Sequence, residues 1–123
     1  MTTSKFVLPI ILFVLTVAAG FWVTKTGKPY NIGVFTLHKL LALAAVVLAA
    51  IVIVKLLKIA PAQPMIIALI VVAAISVITL FATGALMSVQ TTVGSAWLLI
   101  HRVAPFVLAG SSVSAILMLV KSF

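Results

Sequence analysis

Residues 36–58 read TLHKLLALAAVVLAAIVIVKLLK, an apolar run that carries His38 and Lys39 close to its start and Lys55 and Lys58 at its end. A run of this kind is long enough to cross the bilayer's hydrocarbon core, which takes about 20 residues of helix. His38 lies about one turn inside its leading end, and an ionisable side chain inside a membrane helix is the first place to look for function.

Outward from this stretch the chain keeps the same character. Of its 123 residues 66% are hydrophobic, with 8 Lys plus Arg, no Asp or Glu and no Cys. A soluble domain of that length cannot hide so much apolar surface, because some polar residues must meet water. Four apolar stretches, about 6–24, 34–57, 65–87 and 95–120, predict an all-α membrane protein. The expected architecture is an up-down four-helix transmembrane bundle that occupies residues 1–123 as one domain. Pro9 is expected in the first turn of the first helix, where a missing N–H is tolerated. Gly27, Pro29, Asn31 and Gly33 mark the first loop. The two prolines of the stretch Lys58 to Pro64 mark a short connection, which makes the second and third helices antiparallel neighbours. A small polar loop runs from Ser88 to Gly94. Residues 1–19 also resemble a cleaved signal, with Lys5, an apolar run and the small residues Val17, Ala18 and Ala19. The run is long for a signal core, so a retained helix is the expectation.

The composition removes several classes of function. Without carboxylates there is no paired-carboxylate catalysis, no carboxylate-rich calcium or magnesium site and no embedded Asp or Glu proton relay. Without cysteine there is no disulfide, iron-sulfur ligand, thiol nucleophile or covalent haem attachment. The cations stand singly at helix ends instead of clustering with aromatics, so no nucleic acid is expected, and membrane lipid is the first partner. Alternate crossings put Lys5, Lys55, Lys58, Lys121 and the terminal amine on one side, and Lys25, Lys28, Lys39 and Arg102 on the other. The positive-inside rule therefore leans towards cytoplasmic termini by a narrow margin. Trp22, Tyr30 and Trp97 collect on the opposite side, as an interfacial aromatic belt does.

The second and fourth helices each begin on that opposite side, and each has its one histidine near the start: His38 and His101. In an up-down bundle these helices are diagonal, so the imidazoles are expected to face each other across the axis at similar depth. The diagonal, about 11 to 14 Å, suits two imidazoles with a metal-centred disc between them. Gly20 and Gly84 fall near the same level on the other two helices, where a missing side chain lets a flat ligand's edge approach the backbone. His38, Ala42, Ala45 and Ala49 form a small face on the second helix, and His101, Ala104, Leu108, Ser112 and Ala115 form one on the fourth. Close helix packing explains such stripes equally well. Ser76, Thr79, Thr83 and Met87 lie along one stripe of the third helix, from which a hydroxyl can hydrogen-bond a ring N–H and set its tautomer. Pro105 frees the carbonyl of His101 from its helical bond. Arg102 stands too deep for a loop charge and has no carboxylate in the chain to pair with, so its anion must come from outside, a haem propionate or a lipid phosphate. Lys39 follows His38 as Arg102 follows His101, with lipid phosphate its plainer partner. Zinc wants three or four strong ligands where only two exist; copper on His38, His101 and Met87 is a remote alternative.

Around these residues, FTLHKLLAL at 35–43 and LLIHRVAPF at 98–106, the sequence resembles the membrane-bound b-type cytochromes. It is also similar to small four-helix bacterial membrane proteins with one such histidine pair, and the likeness in layout covers nearly the whole chain. The resemblance implies one haem b per chain with His38 and His101 as axial ligands to iron, and one-electron transfer; the positions argued above would put Gly20, Gly84, Arg102 and, less directly, Lys39 around that haem. It also implies a bacterial or archaeal plasma membrane and exchange with a quinol or a soluble electron carrier. Larger members stack two haems on four histidines, whereas here one side has none. Electron transfer is expected over substrate turnover by the chain alone. The rival readings are a non-haem structural or anchor subunit of a larger complex, which leaves room for homo-oligomers, and, ranked last, a small transporter or channel.

Overall fold

A computed structural model describes residues 4–27, 31–61, 63–89 and 94–121. The chain is all-α: α1 (Ser4–Thr26), α2 (Ile32–Ile59), α3 (Pro64–Val89) and α4 (Ser95–Lys121). All four are long and apolar enough to cross a membrane, which makes this an integral membrane protein. Their bounds lie within two residues of those the sequence predicts, mostly one or two residues further out. Part of each expected loop (28–30, 62 and 90–93) lies outside the described residues, and with it the expected belt residue Tyr30 and the loop cation Lys28.

Local chemistry explains where the helices begin and end. The Asn31 side-chain Oδ1 accepts from the Val34 N–H at 3.1 Å, an N-cap that starts α2 two residues earlier than hydropathy predicts. Pro64 is the first residue of α3, where its fixed φ fits and its missing N–H is not needed. Gly27 follows α1 with φ 67°, a left-handed value that ends a helix at little strain when the residue is glycine. Pro9 is not in the first turn, as the sequence predicts, because α1 already begins at Ser4; the proline sits in the second turn of a helix that continues through it. Pro105 likewise lies within α4, which runs unbroken past it.

The chain divides into two compact units, Met1–Val54 and Lys55–Phe123, with the boundary inside the unbroken α2. In the first unit Ala19 and Val23 on α1 and Ala45 and Val52 on α2 are buried. In the second, Ile66, Ala73, Ser76, Thr83 and Met87 line one stripe of α3, and Ala104, Ser111, Ala115 and Leu119 line one of α4. The buried positions recur mostly at three-, four- and seven-residue steps, the seam spacing of helices packed at a shallow angle. Many are Ala, Ser or Thr. In lipid the apolar tails of neighbours offer no hydrophobic gain, so close approach of small residues has to supply the contact energy.

Hydroxyls inside the helices find acceptors at home. Thr16, Thr24, Ser76, Thr79, Thr83 and Ser111 each donate to the carbonyl four residues back, at 2.6 to 3.1 Å. That satisfies a group for which the membrane interior has no water.

Candidate functional site

His38 is the seventh residue of α2 and His101 the seventh of α4. At ~1.5 Å per residue each imidazole stands about 9 Å along its helix from the start. The match is closer than the sequence predicts, because the Asn31 cap lengthens α2 at its leading end. Both rings are half-buried.

In the first unit His38 packs on Gly20 of α1. A methyl group built on that glycine would stand 3.0 Å from the ring Cε1 and 3.4 Å from Nδ1. His38 Nδ1 is 2.9 Å from the carbonyl oxygen of Thr16. Gly20 explains this access. A helical carbonyl points towards the residue four positions on, and a side chain there leans back over it. With glycine at 20, the Thr16 carbonyl is open from the side and its second lone pair can take a proton from a neighbouring helix. A carbonyl oxygen only accepts, so Nδ1 must carry the hydrogen. The lone pair of the neutral ring is then on Nε2.

In the second unit the plan recurs with different parts. A methyl group on Gly84 of α3 would stand 3.3 Å from Cε1 of His101. His101 Nδ1 lies 2.8 Å from Oγ1 of Thr83, whose side chain is only 3% exposed. The Thr83 hydroxyl has one hydrogen, and two carbonyls of its own helix bid for it: Thr79 at 2.7 Å and Leu80 at 3.2 Å. With that hydrogen held by Thr79, Oγ1 accepts from Nδ1–H, and His101 takes the same tautomer as His38. Turning the hydroxyl towards Nδ1 would give up the Thr79 bond, worth about 1 kcal/mol. Of the stripe that the sequence marks on α3, Thr83 reaches His101, while Ser76 and Thr79 hydrogen-bond within their own helix.

The other marked residues lie elsewhere. The glycines meet the imidazoles themselves, a role the sequence does not reveal. Arg102, expected to be buried, is exposed, because it follows His101 by about 100° around the helix. Lys39 is exposed too, with Nζ 4.7 Å from the centre of the Phe35 ring one turn back. Of the expected small faces, Ala45, Ala104 and Ala115 are buried while Ala42, Ala49, Leu108 and Ser112 are half-buried. Trp22 and Trp97 are exposed, as belt residues must be.

The residue that sequence reasoning misses is Thr16, which acts through its main chain. The available signal was a glycine four residues after it in an otherwise apolar helix. No protein-family model, curated protein or solved structure matches this chain.

Proposed function

We propose that the protein is a b-type cytochrome of a bacterial or archaeal plasma membrane, with one haem whose iron takes Nε2 of His38 and Nε2 of His101 as axial ligands. The observation that carries this reading is the common contact: each ring places Nδ1 within 2.9 Å of an oxygen, the Thr16 carbonyl for His38 and the Thr83 hydroxyl for His101, an arrangement that puts the hydrogen on Nδ1 and the lone pair on Nε2. Metal-binding histidines are oriented in this way, by a carbonyl or other acceptor behind the ring, and the donor set fits a haem iron. Bound haem would supply one-electron chemistry, and with His38 and His101 both holding it, electron transfer would be favoured over oxygen activation.

The chain's own residues hold and orient. Thr16 and Thr83 fix the ring planes through Nδ1, while Gly20 and Gly84 give the rings their seats. Arg102, exposed in the third turn of α4, is the cation best placed by register to meet a propionate; Lys39, already stacked on Phe35, fits a lipid phosphate better. A quinol or a soluble carrier is the redox partner consistent with a histidine in the second turn of α2 and another in the second turn of α4. The slight excess of cations at the other end favours cytoplasmic termini.

The test is an absorption spectrum of the detergent-purified protein, oxidised and then dithionite-reduced, with a pyridine extract to count haem. The expected result is a sharp low-spin b-type spectrum at about one haem per chain. The packing of both histidines against glycines favours a second reading, a non-haem anchor subunit in which the rings only join helices. That reading expects a colourless protein, even after haem is added.

A further inference from the structure

The two histidines are held by acceptors of different kinds. Behind His38 stands a main-chain carbonyl, which accepts and can do nothing else. Behind His101 stands a hydroxyl, which can accept from Nδ1–H or donate to a bare Nδ1. Which of these it does depends on where its own hydrogen goes, and the Thr79 carbonyl at 2.7 Å takes it. The second carbonyl, Leu80 at 3.2 Å, draws the hydrogen the same way. Burial keeps water from offering a third choice, since Thr83 is 3% exposed. His38 Nδ1 therefore meets a backbone acceptor, and His101 Nδ1 meets a side-chain one.

We infer that Thr83 is a positioning residue whose hydroxyl, with its hydrogen held by the Thr79 carbonyl, keeps the His101 proton on Nδ1 and the lone pair on Nε2. Resting on the haem reading, a second consequence follows: Thr83 tunes the iron through His101. A ligand imidazole that gives its distal N–H to an acceptor is the more basic donor, and a more basic donor favours the oxidised metal. Losing the acceptor raises the midpoint potential. No substitution of the Thr16 side chain can do the same at His38, because the acceptor there is the peptide group.

The experiment uses the full-length chain in detergent micelles with ¹⁵N-labelled histidine. Long-range ¹H–¹⁵N correlation spectra are recorded without haem at about pH 8, where an ordinary imidazole is neutral. The chain has two histidines, so His38→Ala assigns both ring systems. In the wild type both rings are expected as the Nδ1–H form. Thr83→Val, nearly the same shape, should move His101 several-fold towards the Nε2–H form and leave His38 unmoved; Thr83→Ser should restore the wild-type pattern. Should Thr83→Val fail to fold, as its His38 signals would reveal, Thr83→Ala carries the same expectation. In haem-loaded protein the Val variant should show a raised midpoint potential and about 10- to 100-fold weaker haem retention, with the Ser variant near wild type. A His101 tautomer and a potential both unchanged in Thr83→Val overturn the inference while leaving bis-histidine ligation standing. A wild-type chain that takes up no haem defeats the cytochrome reading, and the haem-free spectra then decide the role of Thr83 alone.

Discussion

Gly20 and His38 are packed so closely that the smallest side chain on the glycine would stand 3.0 Å from the ring carbon Cε1. That is tighter than nine in ten real β-carbon contacts, so a methyl group at position 20 requires the ring, and with it the bond from Nδ1 to Thr16, to give by a few tenths of an ångström. The equivalent distance at Gly84 and His101 is 3.3 Å, and nothing comes within 4 Å of a methyl group at Gly110. Three glycines inside helices thus form a graded series. Replacing helical glycine by alanine gains up to about 1 kcal/mol of intrinsic propensity. Gly110→Ala should keep that gain. Gly84→Ala should keep part of it, since a shift of a few tenths of an ångström relieves the contact. Gly20→Ala should lose it, because it displaces the ring from the Thr16 carbonyl and forfeits a hydrogen bond of about 1 kcal/mol. Unfolding in mixed micelles by increasing fraction of denaturing detergent checks the order Gly110→Ala, Gly84→Ala, Gly20→Ala from most to least stable.

The same contacts predict the behaviour of larger residues. Leucine at 20 or 84 fills the seat of an imidazole. Haem occupancy, read as absorbance per chain, should fall in both Gly20→Leu and Gly84→Leu. Full occupancy in both would separate the glycines from the haem site altogether.

Direct removal of the donors is the sharpest test of ligation. On the proposed ligation, His38→Ala and His101→Ala should each abolish stable low-spin haem binding, since each removes one of the two imidazoles that would hold the haem. Retention of the wild-type reduced spectrum in either variant would remove that histidine from the ligand set and return it to packing.

The helices were legible because each apolar run is about as long as a bilayer requires or longer, and the level of each glycine and histidine followed from counting residues from the loops. Direction around the helix was harder. Nothing in the pattern distinguishes a glycine that faces a ligand from one that faces a ring one helix away, and Gly20 and Gly84 do the latter. Arg102 makes the same point: depth along α4 says nothing of the face, and the face of Arg102 is the exposed one. Thr16 was invisible because a backbone carbonyl has no side-chain signature. The early start of α2 was missed because hydropathy begins at the first apolar residue, whereas a helix begins at its cap, here Asn31.

That cap supplies a prediction of its own. Asn31 Oδ1 takes the Val34 N–H, and the Asn31 carbonyl accepts from the Phe35 N–H at 2.9 Å. Asn31→Ala removes the first bond and should lower stability by about 1 kcal/mol, whereas Asn31→Asp or Asn31→Ser should hold it near wild type. The cap also sets the register from which His38 is counted. Fraying of this turn should therefore loosen the His38 ring before the His101 ring, a difference that the exchange broadening of the two histidine signals can show.

Arg102 offers the remaining distinction, between a haem propionate and a lipid phosphate as the anion that meets it. Each is an oxygen anion that a guanidinium can grip with two N–H groups, so chemistry alone does not choose. Their consequences differ. A cation paired to a propionate stabilises the reduced haem less when it is lost, so Arg102→Gln should lower the midpoint potential or speed haem loss in any detergent. A cation paired to lipid leaves the haem untouched and alters affinity for anionic vesicles instead. Lys39→Gln is the internal comparison, since Lys39 already rests on the Phe35 ring and should change lipid affinity only. An Arg102→Gln protein with wild-type potential and wild-type haem retention assigns the guanidinium to the membrane surface.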